Sequence, residues 1–445
     1  MNQELFGITP PKKLFIKLAV PSLISMLFSS IYMMCDGIFV GKIIGSKGLA
    51  AINLVFPIIM IVFAVSDMIA AGASVKIGIK LGEKNEEEAS NIFTIAVLLS
   101  LIINIIFMIL SLIFSKDIIF ILIRDKELAT LSYKFAYVFI LTLPFIGPFF
   151  ALDNYLRLCG KANMSMWINI AVSILNVILD AILIGYFKLG IEYAALCSAL
   201  SMIIGTLICL YPFTMKKVTL RFVKPKVDVK EILYIIYNGS SEFLSNISGS
   251  IISIITNGFL LHYGGPVGVA AFSIVMYIDA LISPVLFGMI GSTQPVISYN
   301  YGARNYNRIN EFFKITCVVG FTTSILTMII IFIFPDFLVG LFSSKSDVDI
   351  INMGKIALLL SAPSHLFNWF TMTVGSFLTG LEKATESIVV MLIESVIIPL
   401  ILMIALTKVI GVYGIFVAPS IGGLISVTIG FILWRKCVKE EFQNN

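Results

Sequence analysis

Long apolar runs separated by short polar connections make up nearly the whole chain. Each run reaches or exceeds the roughly 20 residues that a membrane-spanning helix needs. The longer runs indicate tilted or kinked helices, or helices that extend past the bilayer. The pattern therefore predicts twelve transmembrane helices, with boundaries defined to within a few residues. The runs are 14–40, 49–75, 92–114, 131–152, 164–184, 191–215, 230–261, 269–297, 312–334, 353–378, 388–407 and 412–433.

The composition supports an all-α membrane protein. Hydrophobic residues make up 58% of the 445 residues and charged residues only 13%, whereas a soluble domain carries about 25% charge. The first apolar run is too long for a cleavable signal sequence. The longest polar stretch is the basic segment 216–230, so no separate soluble domain is expected.

An internal repeat divides the chain into two halves. The stretch from Ile31 to Asn53 is echoed from Ile255 to Ser273, with Asn257 in the place of Asp36. The stretches GIKLGEKNEEEASNIF and SYNYGARNYNRINEFF also match, at an offset of 220 residues. The echo keeps the glycines but exchanges an acid for an amide, which predicts related folds with different charge chemistry.

Each half contains six spans, so both halves cross the membrane in the same sense. The sequence therefore predicts two pseudo-symmetric six-helix bundles with a cavity between them, an arrangement that suits alternating access. The predicted boundaries are 1–215 for the N-terminal lobe, 216–230 for a cytoplasmic linker and 231–445 for the C-terminal lobe. With both termini in the cytoplasm, roughly two thirds of the 31 Lys and Arg residues fall on the cytoplasmic side, which favours that orientation.

Four polar residues on three spans are the candidates for ion binding. Asn176 and Asp180 are four residues apart and share one helix face. Asp36 and Ser198 are expected at a similar depth in the membrane. Carboxylate, amide and hydroxyl oxygens suit a hard cation such as Na⁺. A buried carboxylate pair equally suits a proton, because burial and a like charge favour the protonated form.

Blander interpretations exist for each residue. Either aspartate alone could be a helix-end residue wetted by the membrane interface, and Asn176 or Ser198 alone could be packing between helices. Further candidates are Glu242, for substrate or ion contact, and Tyr137, for substrate. Pro21 is expected to bend the first helix, because it removes a backbone donor. Other acids within apolar runs are Asp67, Asp279 and Glu394.

The chain lacks a phosphate-binding loop, so ATP is not expected to drive it. Its six cysteines form no C-x-x-C pair and its two histidines, His262 and His365, lie far apart. Neither a disulfide framework, a metal centre nor a cofactor is therefore predicted. Energy would come from an ion gradient, which supplies about 2.3 kcal/mol per charge per 100 mV.

The chain resembles the multidrug and toxic compound extrusion (MATE) family over essentially its whole length. The motifs are DGIFVGKIIG, NVILD, GIEYAALCSA and STQPVISYNYGARN, the last being most like the MepA-type bacterial branch. The resemblance implies a V-shaped pair of bundles of the MATE/MOP type. It also implies a cation or proton site at Asp36, Asn176, Asp180 and Ser198, and an acid on the seventh helix at Glu242. The acid that some relatives carry on the tenth helix is absent, so the resemblance favours the N-terminal site.

We therefore interpret the sequence as a secondary active antiporter. It would export small organic, mostly cationic and aromatic compounds in exchange for H⁺ or Na⁺. It would lie as a monomer in the plasma membrane of a bacterium, without nucleic-acid partners. The alternative is a flippase for lipid-linked oligosaccharides, but anionic headgroups would require basic residues inside the spans. A membrane-embedded enzyme would need clustered aspartates at a helix end, and the loop acids near Asp125 lack that spacing.

Overall fold

The protein is described by a computed structural model that covers residues 4–342 and 347–442. Throughout these residues the regular structure is helical, without β-strands. The apolar runs become helices that are longer than predicted, because polar residues at both ends continue the helix beyond the apolar part. In the first half the helices are α1 Glu4–Ile8, α2 Pro11–Phe39, α3 Ser46–Gly82, α4 Glu86–Leu122, α5 Lys126–Leu158, α6 Ala162–Asp180 and α7 Ile191–Thr214.

The second half begins with one very long helical segment, α8, which is broken at Gly265. This glycine has φ 59° and ψ −161°, a conformation that a side chain would strain. The break separates the seventh and eighth spans, so the prediction of twelve spans is confirmed. The helices are α8 Val229–Gly291, α9 Gln294–Gly302, α10 Tyr306–Ile333, α11 Pro335–Gly340, α12 Val348–Ser361, α13 His365–Gly380, α14 Ala384–Leu392, α15 Ile398–Ile410 and α16 Tyr413–Phe442.

Two spans are composite, because a 3₁₀ turn at Ala362–Ser364 joins α12 to α13 and a π-helical segment at Ile393–Ile397 joins α14 to α15.

Side-chain caps define where several helices begin. Asp125 Oδ1 accepts hydrogen bonds from the backbone N–H groups of Glu127 and Leu128 at the start of α5. Such caps satisfy donors that the first turn leaves free.

The helices form two compact units. The first contains the described residues up to Thr9 together with Val20–Phe243 and Ser298–Arg304. The second contains Pro10–Ala19, Leu244–Ile297 and the described residues from Asn305 onward. Helix α2 thus contributes to both units and changes from one to the other next to Pro21. The lobe boundaries derived from the sequence repeat stay a prediction.

In the first unit, α3 and α9 approach each other through a glycine from each helix. A Cβ atom on Gly82 would lie 2.0 Å from the carbonyl oxygen of Tyr299, and one on Gly302 would lie 2.1 Å from that of Ile79. These are the two glycines that the sequence repeat pairs at an offset of 220. Their lack of side chains lets the two helix backbones touch.

The basic segment after α7 lies along α4 rather than extending freely. The N–H of Lys226 donates to Asn91 Oδ1 at 2.8 Å, and Asn91 Nδ2 returns a bond to the Lys226 carbonyl at 3.2 Å. The N–H of Val223 donates to Thr94 Oγ1 at 3.1 Å. Phe222 packs on Phe93, with ring centroids 4.9 Å apart. Side chains of α4 therefore fix the linker backbone in place.

In the second unit, aromatic side chains hold α13 between α10 and α16. Phe313 of α10 stacks on Trp434 of α16 at 4.9 Å, and its ring also meets Phe377 of α13 at 4.9 Å. At the other end of α13, the Ser420 hydroxyl of α16 donates to the carbonyl oxygen of Leu360 at 2.7 Å. That bond satisfies a carbonyl beside the 3₁₀ turn.

Candidate functional site

The first unit places Asn176, Asp180 and Ser198 together, as their spacing predicts. Asp180 is fully buried and Asn176 is 1% exposed. With its amide nitrogen facing the carboxylate, Asn176 donates to Asp180 Oδ2 at 3.2 Å. Its amide oxygen then accepts from Ser198 Oγ at 2.9 Å and from the Ser198 N–H at 3.2 Å. The asparagine thus links the aspartate of α6 to α7.

Asp36 of α2 joins this group from a third helix. Its carboxylate is close enough to that of Asp180 for the two charges to repel each other. One of its oxygens, Oδ1, is buried and accepts no hydrogen bond. Tyr32, one turn earlier on α2, also lies within electrostatic range of Asp36. The two aspartates on which an ion site would depend are therefore neighbours within one helical unit.

Cys197 is a member of the site that the sequence interpretation missed. Its side chain is fully buried, and its thiol hydrogen-bonds to Asp180. The sequence offered little warning, because a cysteine within an apolar run usually behaves as a small hydrophobic residue. Its position next to Ser198 was the available signal.

Each aspartate is followed by a segment of π-helix. Asp180 directly precedes Ala181–Tyr186, and Asp36 lies four residues before the start of Val40–Ile44. The two π segments lie next to each other and next to α7. Their wider turns are visible in bonds from the Gly45 N–H to Val40 O and from the Phe187 N–H to Ile182 O, each 3.0 Å. Such segments are rare and are frequent at functional sites.

The chemistry of this group, which we call the aspartate site, follows from its burial. Asp180 is fully buried and Asp36 is half-buried. For two carboxylates this close, carrying two charges is costly, because burial and mutual repulsion both oppose ionisation. A bound proton or monovalent cation removes that cost. The site can therefore exist in a neutralised and a charged form that differ in their preferred geometry.

Glu242 lies elsewhere in the same unit and interacts electrostatically with Asp67 of α3. Asn238, one turn before Glu242 on α8, is 1% exposed, and its amide has no hydrogen-bond partner. The sequence interpretation treated Glu242 and Asp67 separately, since 175 positions divide them in the chain. Glu242 remains a candidate for ion or substrate contact, now together with Asp67.

The other two predicted residues lie away from these groups. Tyr137 is 40% exposed and its ring contacts Tyr133 at 5.8 Å. Among the described residues, no hydrogen bond or ring contact joins it to either aspartate. Helix α2 continues without interruption through Pro21, whose carbonyl accepts a bond from the Ser25 hydroxyl at 3.0 Å. The bend predicted at Pro21 stays a prediction.

In a second group of polar side chains, on α5 and α6, the members are hydrogen-bonded to one another. Asp153 accepts from Arg157 Nη2 at 2.6 Å, from Ser165 Oγ at 2.5 Å and from Asn169 Nδ2 at 2.9 Å. Because each side chain is satisfied by another, this group serves to join α5 to α6.

A fold of twelve spans, with Asp36 close to the buried Asp180 in one helical unit, defines a class of membrane transporter. Comparison with known proteins agrees. The MatE family matches residues 21–182 and 243–405, so the chain belongs to the MatE family. Each matched segment covers one copy of the repeat seen in the sequence.

The relatives with known names are bacterial export proteins. "Multidrug export protein MepA" of Staphylococcus aureus (strain MSSA476) is 28% identical over 440 residues, which is 96% of this chain and 95% of that protein. MepA of Staphylococcus saprophyticus is 28% identical over 431 residues, covering 93% of this chain and 92% of that protein. The predicted resemblance to the MATE family and its MepA-like branch is confirmed.

Solved structures share the fold. A MATE protein in complex with MaL6 superimposes with a TM-score of 0.95 at 24% identity, covering 99% of each chain. An outward-facing multidrug resistance MATE transporter of the MOP superfamily gives a TM-score of 0.94 at 23% identity, again covering 99% of each chain. The all-α fold predicted from the sequence is therefore confirmed.

Proposed function

We propose that the protein is a secondary active multidrug efflux antiporter. It exports small organic cations, many of them aromatic, and takes up a coupling cation in exchange. The observation that carries the proposal is the pairing of Asp36 with buried Asp180 in one helical unit. Relatives with matching length are named as multidrug export proteins, which supports the substrate class and argues against enzymatic activity.

In this proposal the coupling cation binds at the aspartate site. Binding neutralises the pair and relieves the repulsion between the two carboxylates, so α2 and α6 prefer a different geometry when the site is filled. The π segments that follow both aspartates are the parts of these helices that can change. Drug and ion would compete through this change of conformation, without having to touch each other.

The hydrogen bonds favour H⁺ over Na⁺ as the coupling ion. Asn176 turns its N–H towards Asp180, while its amide oxygen is engaged by Ser198. For a sodium ion to use that oxygen as a ligand, the amide would have to give up its bonds to Ser198. A proton needs only a carboxylate oxygen.

The same proposal includes the oligomeric state, the membrane and the orientation of the protein. It would act as a monomer in a bacterial plasma membrane, with both termini in the cytoplasm and without nucleic-acid partners. The basic linker 216–230 would then lie on the cytoplasmic side, as the distribution of Lys and Arg favours.

A flippase for lipid-linked glycans is supported less well. Anionic headgroups would need free cationic side chains in the spans. The Lys76 ammonium of α3 is already 3.3 Å from Glu231 Oε1 and 4.6 Å from the ring centroid of Tyr234. Its charge is therefore neutralised within the unit.

The test uses purified protein in liposomes loaded with a fluorescent organic cation, with proton and sodium gradients imposed separately. We expect the proton gradient to drive transport. Asp36→Asn should abolish transport while leaving expression intact, because a neutral amide cannot lose a proton. The control is Asp117→Asn, which changes an exposed acid on α4 and should transport normally. Full transport by Asp36→Asn would exclude the proposed coupling site.

A further inference from the structure

The second unit contains a buried histidine paired with a carboxylate. His365, the first residue of α13, is 8% exposed. Its Nε2 lies 3.1 Å from Asp279 Oδ1 on α8. That oxygen is buried and accepts no hydrogen bond from the described residues, so the contact is within ion-pair distance only. The side chain of Asp279 is 36% exposed, so one face of the pair is more open than the other.

The histidine lies where its span is interrupted. Helix α12 ends at Ser361, the 3₁₀ turn follows, and α13 starts at His365. Pro363 within the turn has no N–H to continue the α-helical pattern, and Ser420 of α16 bonds to a released carbonyl instead. In transporters, interrupted spans mark binding sites near the middle of the membrane.

The fold itself does not require a polar pair at these positions. The repeat offset of 220 places Asp279 opposite Ile59, and the offset of 222 that pairs Leu156 with Leu378 places His365 opposite Leu143. Both counterparts are buried and line a small apolar cavity in the first unit. An apolar pair therefore suffices for packing, and the polar pair in the second half calls for another explanation.

Asp279 is the one ionisable group within ion-pair distance of the imidazole in the part of the chain that the structure describes. Glu394 is bonded to Thr371, about 9 Å further along α13. The remaining groups on elements packed against α13 lie towards its other end, where Phe313 meets Phe377 and Lys383 pairs with Glu441. They are Tyr306, Arg308, Glu311, Lys314 and Cys317 of α10, Glu386 of α14, and Arg435, Lys436, Cys437, Lys439, Glu440 and Glu441 of α16. Tyr413 is the first residue of α16 and precedes Ser420, which bonds to Leu360 of α12.

We propose that His365 and Asp279 form a second proton-binding site, located in the second unit. With the proton bound, the imidazolium and the carboxylate form a neutral ion pair. Without it, a neutral imidazole faces a carboxylate, and the pair carries one negative charge. The two forms of the pair differ by one proton, which the imidazole takes up or releases, and no other bond changes. That this proton contributes to the coupling of export rests on the proposed antiport function.

Proton binding can be measured without transport, because the chain has only two histidines. Protein with ¹⁵N-labelled histidine, reconstituted in nanodiscs, is studied in a His262→Gln background. His262 is exposed, so this change should leave the fold intact and a single imidazole signal. We expect that signal to convert between its neutral and charged forms with pH. Asp279→Asn should change the pH dependence of that signal, because the imidazole loses the carboxylate next to it.

The transport test uses a double variant that copies the first half. Asp279→Ile with His365→Leu recreates the apolar pair of Ile59 and Leu143 and should fold. Asp279→Ile alone leaves the histidine without its partner and should be less stable. If the site contributes one coupled proton, the double variant should lower steady-state accumulation about tenfold at a gradient of one pH unit. Transport coupled to proton binding at the aspartate site should remain detectable in the double variant.

The outcomes separate the two proposals. An imidazole that does not titrate over the pH range of transport overturns the second site, whatever the transport result. A titrating imidazole with unchanged accumulation in the double variant overturns its role in coupling and leaves the aspartate site intact. Loss of transport in Asp36→Asn together with a titrating His365 supports both.

Discussion

Replacing Asn176 with alanine removes the side chain that links Asp180 to Ser198. The lost bond to the carboxylate is worth about 1.5–3 kcal/mol. Each of the two bonds to Ser198 is worth about 0.6 kcal/mol, the average for hydrogen bonds between membrane helices. The expected loss of stability is therefore about 3–4 kcal/mol. At the roughly 2 °C per kcal/mol that applies to large domains, Tm should fall by roughly 6–8 °C.

The assay follows thermal unfolding in detergent with a dye that reacts with thiols, since Cys159, Cys197 and Cys209 are buried and become reactive on unfolding. The matched control is Asn104→Ala. Asn104 is fully buried in the same unit and donates to Ser66 Oγ at 3.0 Å and to the Ser100 carbonyl at 2.8 Å. It contacts no carboxylate in these bonds.

The two variants should differ in their dependence on pH. In Asn176→Ala the penalty arises largely from a carboxylate that has lost its amide donor and keeps the bond from the Cys197 thiol, so the penalty should shrink when acid protonates Asp180. In Asn104→Ala the penalty should stay constant. Equal pH profiles, or a Tm of Asn176→Ala within 1 °C of the parent, would refute the assignment of Asn176 as the group that holds Asp180.

Two further predictions concern structural contacts. Asp153→Ala leaves the half-buried guanidinium of Arg157 without its carboxylate and should lower the free energy of unfolding by about 3–5 kcal/mol, measured by thermal unfolding. The double variant Asp153→Leu with Arg157→Met should recover most of that loss. Absence of recovery would contradict the ion-pair explanation. The ammonium group of Lys383 donates a hydrogen bond to Glu441 Oε1 at 2.7 Å, and this bond raises the pKa of Lys383. This pair therefore stabilises the protein at neutral pH, and its contribution disappears as pH rises above the ordinary lysine value of 10.5. Glu441→Gln should accordingly lower Tm at pH 7 but not at the alkaline limit, and a difference that persists there would contradict the assignment.

Hydrophobic pattern predicted the spans well, because each apolar run needs a helix to satisfy its backbone in lipid. It did not predict the two composite spans or the π segments. Nothing in the apolar pattern distinguishes the π segments at Val40–Ile44 and Ile393–Ile397 from continuous α-helix. The 3₁₀ turn at Ala362–Ser364 had a signal in Pro363, whereas Pro21 lies in a helix that continues. Proline alone therefore does not identify a break.

The candidate site was predictable where it depended on local geometry. Asn176 and Asp180 lie on one helix face because their spacing matches the helical period. Pairings between distant helices were not predictable in this way. The electrostatic interaction of Glu242 with Asp67 and the close approach of His365 to Asp279 depend on how α8 packs against other helices. No short-range sequence pattern encodes that packing.

The attachment of the linker to α4 limits how far the start of α8 can travel. Asn91 holds both backbone groups of Lys226, and α8 begins at Val229. Three Cα–Cα steps of 3.8 Å reach about 11 Å. The segment thus restricts the movement of α8. For the first turn of α8 to move further than this, the hydrogen bonds between the linker and α4 would have to break.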